Sequence, residues 1–390
     1  IVLKPLAAMA NEDLTQFEGL LAQLMSHENN IRQQAEAQYA QIPDPKKIDF
    51  LIKTLRLSAS QEVRQMSGVL IRRLFSSTVD LYESLSEDIK LSLKQELLLG
   101  IQEEPLVNVK WKICDAVSEI ARCLLDEDGY NHWQELLKFL HECCNSQDQN
   151  LRECSLRILL SFPGIFGNQQ DHYLQVIKGM LWQCMQDQTS AQVRYTAARA
   201  AVAFLVDQVL EQQQKQFIDI VPGVLQALKD SLQEQDDNVL KSMIDLAEKA
   251  PKVLRNNLET VLNITLQTVS NTEYDNTVRQ LALECIVTLA ESAPAMLRKY
   301  QKFFPLIVPQ MLAMMVDLED DPEWSTSDDA DDEDCDSNAV AGESAIDRFA
   351  CGIGGKNMLP HIIATVPQML QNADWRYRHA GLMAISAVGE

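Results

Sequence analysis

The chain has 390 residues, 46% of them apolar and 23% charged, which is the composition of a folded protein. Its formal net charge is −22, and because such a surface repels phosphate backbones and anionic lipids, we do not expect direct nucleic-acid binding. No apolar run approaches the length of a membrane span, so we do not expect membrane insertion. The nine cysteines include no CxxC pair, which indicates reduced, buried thiols rather than a metal or disulfide framework.

One helical unit repeats along the chain from Asn11 onward. The sequence pattern of each unit predicts an amphipathic helix, a short polar turn and a second helix. The second helix opens with an aliphatic residue, which is usually followed by a basic one. The openings are Ile31-Arg32, Val63-Arg64, Val109-Lys110, Leu151-Arg152, Val193-Arg194, Val239-Leu240, Val278-Arg279, Val340-Ala341 and Tyr377-Arg378. Successive openings are 32 to 46 residues apart, except for one interval of 62, and this period is typical of two-helix HEAT or armadillo units.

The seventh unit shows the helical periodicity clearly. Its second helix places apolar residues at i, i+3, i+4, i+7, i+8 and i+11, namely Val278, Leu281, Ala282, Cys285, Ile286 and Leu289. A single unit cannot bury such stripes alone, so neighbouring units must stack. The sequence therefore predicts an all-α fold, a HEAT-repeat superhelical solenoid of about nine two-helix repeats over residues 11–390, after a non-repeat leader at 1–10. We expect the basic residue of each opening to bond a carbonyl or an acid of a neighbouring unit.

An acidic stretch, Asp317–Asp336, interrupts the eighth unit. Twelve of its twenty residues are Asp or Glu, and none is Lys or Arg. The interval of 62 residues equals about one ordinary unit plus this stretch, so an acidic loop at 317–337 is inserted between the two helices of repeat eight. Such a run cannot bury enough apolar surface to offset its ordering entropy, which predicts a mobile loop. Two interpretations stay open: a solubilising linker and an electrostatic arm for a basic partner.

The last repeat ends within its second helix. Leu382, Met383, Ile385 and Val388 still lack a partner there, whereas a solenoid normally ends in a polar cap. We therefore expect a truncated last repeat and an N-terminal portion of a longer protein.

No motif predicts catalysis, a metal or a cofactor. The stretch Gly352–Lys356 lacks two residue types that a phosphate-binding loop needs, and it is better interpreted as a helix end followed by a turn. Cys143 and Cys144 are close to His141, but adjacent cysteines point to different sides of a helix. We therefore expect a protein that is not an enzyme.

Several long segments of the sequence resemble those of the importin-beta family of nuclear transport receptors. The segment Arg32–Phe75 resembles the amino-terminal region of that family. The same resemblance is carried by FPGIFGNQQDHYLQVIKGMLWQCMQDQ (Phe162–Gln188), VPQMLAMMVDLEDDPEW (Val308–Trp324), DSNAVAGESAIDRFACGIGGK (Asp336–Lys356) and WRYRHAGLMAISAVGE (Trp375–Glu390).

The resemblance implies a monomeric import receptor that shuttles between cytoplasm and nucleus. It implies that Ran-GTP binds second helices of the first repeats, within residues 11–105, and that basic cargo such as ribosomal proteins and histones occupies the concave face. It also implies pockets for phenylalanine-glycine nucleoporins between outer helices. Because Ran-GTP and cargo would each lower the other's affinity, Ran-GTP would release cargo.

The resemblance also carries over candidate residues. The candidates for Ran binding are Arg64, Gln65, Ser67, Arg72 and Arg73. The candidates in the acidic loop, for Ran or basic cargo, are Asp317, Glu319, Asp320, Asp321, Glu323, Trp324, Asp328, Asp329, Asp331, Asp332, Glu333, Asp334 and Asp336. Two other classes remain open: a HEAT scaffold that joins enzyme subunits, and a chaperone that holds basic proteins regardless of Ran.

Overall fold

The computed structural model describes residues 11–78, 80–207, 211–318 and 337–389. Within these ranges the regular elements are helices, with one isolated bridge between Leu125 and Asn131. The chain divides into two compact units, Ile1–Phe204 and Leu205–Glu390. The leader at 1–10 lies outside the described residues.

The first unit contains the first four helix pairs and most of the fifth. The pairs are α1 (Asn11–Leu24) with α2 (Asn29–Gln41), α3 (Asp44–Leu57) with α4 (Gln61–Ser77), α6 (Glu87–Glu103) with α7 (Val107–Cys123), α8 (Gln134–Cys144) with α9 (Gln149–Ser161), and α10 (Gln170–Met185) with α11 (Ala191–Asp207). The one-turn helix α5 (Leu81–Ser84) and a 3₁₀ segment, Pro163–Gln169, lie in connections between pairs.

The second unit contains four pairs. They are α13 (Val221–Gln233) with α14 (Asn238–Lys249), α15 (Leu258–Ser270) with α16 (Asn276–Ser292), α18 (Phe304–Met315) with α19 (Asn338–Ile353), and α20 (Gly355–Leu370) with α21 (Trp375–Gly389). The connections contain the short helices α12 (Glu211–Phe217) and α17 (Pro294–Leu297) and the 3₁₀ segments Ile218–Ile220, Pro251–Asn257 and Arg298–Phe303.

This order confirms the predicted all-α HEAT-repeat solenoid. Every predicted opening lies in the first turn of a second helix, and the predicted core stripe of α16 is buried except at Leu281. Second helices pack directly on one another: α4 on α7 and α7 on α9 in the first unit, and α14 on α16, α16 on α19 and α19 on α21 in the second. Within each unit, these neighbouring pairs therefore bury their apolar stripes against one another.

The helix ends follow local capping chemistry. Ser60 accepts a hydrogen bond from the amide of Val63 at the start of α4, and Ser337 accepts one from Val340 at the start of α19. Gly354 ends α19 at φ +87°, where a side chain would be strained, so the predicted helix end at Gly352–Lys356 is confirmed.

Among the described helices, no single one is long and apolar enough to cross a membrane. One consecutive pair of them, 276–292 with 294–315, passes on combined length and composition and is bent by 105°.

Candidate protein-binding surfaces

Arg64, the first Ran-binding candidate, joins two repeats. Its Nε and Nη2 donate to the Glu104 carboxylate at 3.0 and 3.1 Å, and its Nη1 donates to the carbonyls of Ser58 and Ala59. The side chains of Arg64 and Glu104 are only 13% and 6% exposed. The structure thus places Arg64 in a contact between the second and third repeats, with each of its three nitrogens bonded.

Arg152 repeats this arrangement two units later. Its Nε donates to Asp187 at 2.7 Å, its Nη1 to the carbonyl of Ser146 at 2.8 Å and its Nη2 to Thr189 Oγ1 at 2.7 Å. Burial by itself raises the pKa of Asp187, but hydrogen bonds from Thr189, Arg152 and the Ser190 amide outweigh it and hold the pKa below its usual value.

The prediction that the basic residue of each opening bonds a neighbouring unit is confirmed for two arginines and is wrong for four others, whose hydrogen bonds to described residues stay within their own unit. Arg64 and Arg152 do bond an acid of the next unit, as expected. The carbonyls, however, belong to the arginine's own unit, because the side chain in the first helical turn folds back over the turn before it. The same pattern holds for Arg32 with Ser26, Arg194 with Asp187, Arg279 with Val269 and Arg378 with Asn372.

Ser67, the next Ran-binding candidate, is buried in the repeat core. Its hydroxyl bonds the carbonyl of Val63 and the Thr54 hydroxyl, both at 2.8 Å. It lies on the side of α4 that faces α3. Ser67 therefore positions two helices and presents no surface to a partner.

Of the other Ran-binding candidates, Arg72 and Arg73 are exposed and Gln65 is half-buried. Gln65 and Arg72 are seven residues apart on one side of α4, with the 40% exposed Val69 between them. Arg73 is exposed beside Arg72. A Cβ on the neighbouring Gly68 would lie 2.9 Å from Lys112 of α7, so the exposed sides of α4 and α7 adjoin.

A cation–aromatic cluster continues this surface on α7 and α9. The Arg157 guanidinium lies 4.8 Å from the centre of the Trp111 ring, and its Nε is 3.5 Å from Asp115. Glu153 beside it is 7% exposed, and burial raises the pKa of its carboxyl although Arg157 and Trp111 act in the opposite direction. We call the exposed sides of α4, α7 and α9 the second-helix surface. Sequence reasoning missed this cluster, because its members are separated by an intervening helix.

The residues at the two ends of the acidic insertion, which we call its base, are held by hydrogen bonds. Asn338 Nδ2 donates to Asp317 Oδ2 at 2.7 Å, and Gln280 of α16 donates to Asn338 Oδ1 at 2.9 Å. Asn338 is only 3% exposed, so both ends of the insertion are held against α16. Sequence reasoning missed this role of Asn338, because its burial depends on contact with α16 of the preceding repeat.

Of the acidic-loop candidates, Asp317 alone belongs to the part of the chain that the structure describes. The others, Glu319, Asp320, Asp321, Glu323, Trp324, Asp328, Asp329, Asp331, Asp332, Glu333, Asp334 and Asp336, lie outside the described residues. The predicted mobility of the loop therefore stays a prediction.

Next to this base, α16 and α19 carry an exposed acidic and polar surface. Arg348 of α19 donates two hydrogen bonds to Glu284, at 2.7 and 2.8 Å, and two to Glu291, at 2.9 and 2.7 Å. These bonds raise the pKa of Arg348, and the bond from Arg348 lowers the pKa of Glu291. A 210 Å³ cavity between the two helices is lined by Gln280, Glu284 and Ser344, among others.

The first helices of repeats eight and nine expose apolar side chains. The Phe304 ring of α18 lies 6.2 Å from the His361 ring of α20. Leu306 of α18 is 54% exposed, and on α20 Leu359 and Ile363, one turn apart, are 48% and 61% exposed. We call these three exposed residues of the two neighbouring helices the first-helix apolar patch.

No group of three or more His, Cys, Asp or Glu residues within 11–78, 80–207, 211–318 and 337–389 has the arrangement of a metal site. Cys143 and Cys144 are both buried in α8.

Two models of protein families match the chain. The family described as "IPO5-like, TPR repeats" matches residues 106–264, and the family described as "Importin repeat" matches residues 271–360. The importin subunit beta-3 of Saccharomyces cerevisiae is 28% identical over 291 residues, which cover 73% of this chain and 26% of that protein. A probable importin-5 homolog of Dictyostelium discoideum is 23% identical, over 95% of this chain and 35% of that protein.

Solved structures give the same result. Kap121p bound to RanGTP superposes with a TM-score of 0.80 at 26% identity, over 98% of this chain and 37% of that chain. Fold and surfaces define the class as a HEAT-repeat protein built for protein–protein contact. The chain belongs to the importin-beta family of nuclear transport receptors, and it spans about a quarter to just over a third of the length of these relatives.

Proposed function

We propose that this chain forms part of a nuclear import receptor whose cargo binding is controlled by Ran-GTP. The observation that carries the proposal is the superposition of nearly the whole chain on Kap121p bound to RanGTP. Related structures show Kap121p bound to Ste12p, to Nup53p and to Pho4p. The matched proteins are importins, and we propose a shuttling, monomeric receptor without catalytic activity.

Ran-GTP would bind the second-helix surface of the first repeats. Gln65, Arg72 and Arg73 carry this part of the proposal, because they are solvent-accessible on a helix anchored at both sides. Arg64 and Ser67 would act indirectly, by holding α4 against α7 and α3. Anchored helices present side chains with little loss of conformational entropy on binding.

Basic cargo would bind through the acidic insertion and the α16–α19 surface. The insertion begins beside Gln280, which also lines the cavity between these helices. Twelve carboxylates within twenty residues would attract lysine-rich segments such as those of ribosomal proteins and histones and guide them to this surface. If Ran-GTP and cargo each lower the other's affinity for the receptor, binding of Ran-GTP releases the cargo.

Nucleoporins would bind the first-helix apolar patch. Phenylalanine side chains of phenylalanine-glycine repeats need exposed apolar contacts, and Leu306, Leu359 and Ile363 supply them on neighbouring helices. The binding of Nup53p by Kap121p supports a nucleoporin as partner.

The test is calorimetric titration of the 390-residue chain with Ran loaded with GTP or with GDP, at the same ionic strength. We expect at least about a tenfold preference for the GTP form. Equal binding of both forms, or no binding by a folded chain, would overturn Ran control. If the chain then still bound basic proteins and Ran did not affect that binding, a chaperone would be favoured. If it bound neither basic proteins nor Ran, a scaffold would be favoured.

A further inference from the structure

A cavity of about 290 Å³ lies between two connections of the second unit. One wall comes from α12 and the 3₁₀ segment Ile218–Ile220, which lead into α13. The other wall is the 3₁₀ segment Pro251–Asn257, which leads into α15. The lining residues are Gln214, Lys215, Ile218, Lys252, Val253, Arg255 and Asn256. The cavity thus lies where the connections of repeats six and seven meet.

The lining is cationic in a strongly acidic chain. Lys215 comes from one wall, and Lys252 and Arg255 come from the other. Among the seven described lining residues none carries a carboxylate, and the amides of Gln214 and Asn256 add hydrogen-bonding groups. Three positive charges around one small concavity favour an anion.

Several other cations of the second unit have bonded partners. Lys241 pairs with Asp237 at 2.8 Å, and Lys249 pairs with Asp245 at 3.2 Å. In the next connection, Arg298 donates to the carbonyls of Ile353 and Gly352. Lys215 and Arg255, in contrast, form no ion pair with any described residue.

We propose that this cavity binds a small soluble anion that carries several phosphate groups, and that the anion joins repeats six and seven. A guanidinium such as that of Arg255 matches phosphate oxygens in a two-bond geometry, and lysine ammonium groups add point charges. The volume is at the small end of ligand sites, which suits a small molecule. The net charge of −22 opposes nucleic acid, whose phosphates extend beyond any one cavity.

The experiment is calorimetric titration of the full chain at about 0.15 M salt, where long-range charge effects are screened. The probes are myo-inositol hexakisphosphate and linear tripolyphosphate, with citrate as an anion that lacks phosphate. We expect one site for a phosphate probe, with citrate binding at least about tenfold more weakly. Tighter binding of the inositol compound would identify a phosphorylated ring polyol as the ligand, and tighter binding of tripolyphosphate would identify a linear polyphosphate.

The variants Lys215→Glu and Arg255→Glu test the location. Each should weaken phosphate binding by about tenfold or more, because it puts a carboxylate into the cavity. Lys229→Glu is the matched control: it makes the same change of charge at an exposed lysine of α13 outside the lining. Arg255→Gln removes the charge without adding repulsion and should also weaken binding, and circular dichroism verifies the fold of each variant.

Three results would overturn the proposal. These are no phosphate binding by the folded parent chain, equal binding of citrate, and equal weakening by Lys229→Glu and Arg255→Glu. The last result would show a diffuse electrostatic effect instead of a site.

Discussion

Arg64 and Glu104 are forty residues apart in the chain and form a buried, two-bond ion pair between the second and third repeats. The Arg64 Nη1 bonds to Ser58 and Ala59 tie the same guanidinium to the turn of its own repeat. One side chain therefore sets both the start of α4 and its position against the next repeat.

Arg64→Met should destabilise the chain by about 3 kcal/mol, because it leaves the buried carboxylate of Glu104 without its partner. The double variant Arg64→Met/Glu104→Gln should recover part of this loss. The measurement is urea unfolding followed by circular dichroism, with the exposed Arg72→Met as control, expected within about 0.5 kcal/mol of the parent. Equal losses for Arg64→Met and Arg72→Met would contradict the assigned role.

Asp187 should make stability depend on acid pH. Its pKa is lower in the folded chain than its ordinary value of 3.8, so the unfolded chain binds a proton more readily. The associated stability is present above that ordinary value and is lost as pH falls through the folded pKa. Asp187→Asn should therefore be less stable than the parent at neutral pH, and the difference should shrink below about pH 4.

Urea midpoints measured from neutral to acid pH check this prediction. Asp245→Asn is a suitable control, since its exposed ion pair with Lys249 contributes little. A difference between Asp187→Asn and the parent that stays constant across the range would show that the carboxylate's charge is not responsible.

Arg72→Glu and Arg73→Glu should each weaken Ran-GTP binding by about tenfold without loss of stability, because both side chains are exposed at the proposed contact. Lys138→Glu makes the same charge change on the first helix α8, where the lysine is 78% exposed, and should leave the affinity unchanged. Affinities are measured by calorimetry. If all three variants bind alike, Ran does not contact α4 at these arginines.

Deletion of residues 319–336, with Leu318 joined to Ser337 through Gly-Ser-Gly, should leave the fold intact. The hydrogen bond between Asp317 and Asn338 brings the two ends close enough for a short linker. Association with a lysine-rich histone tail peptide should slow by about tenfold at low salt, since electrostatic steering is lost. Stopped-flow fluorescence measures the rate.

A length-matched variant separates charge from chain length in the insertion. In it, every Asp and Glu of 319–336 becomes Asn and Gln, and it should slow association as much as the deletion does. Unchanged rates and affinities in both variants would leave the insertion only a solubilising role.

Ile363→Ser and Leu359→Ser should weaken binding of a phenylalanine-glycine repeat peptide, because each removes exposed apolar area from the first-helix apolar patch. The expected loss is about 1–2 kcal/mol per site. Fluorescence anisotropy measures it, and Ile385→Ser, at a 47% exposed residue of the second helix α21, is the control. Equal losses at Ile363 and Ile385 would place the peptide elsewhere.

The sequence alone determined the helical architecture. Openings such as Val63-Arg64 and stripes such as that of α16 depend on spacing within one helix, and local periodicity shows which face of a helix is apolar. The interval of 62 residues also located the acidic insertion within the eighth pair, and the structure has this insertion between α18 and α19.

Only the tertiary structure decided which polar residues hold the repeats together and which remain open to partners. Arg64 and Arg72 are both arginines of one helix, yet Glu104 of the next repeat helps to bury the first, whereas the second is exposed. Likewise, only the tertiary structure brings the Arg157 guanidinium to the Trp111 ring and Gln280 to Asn338. These pairs are distant along the chain, so their contacts depend on how successive repeats stack, which helical periodicity within one repeat does not contain.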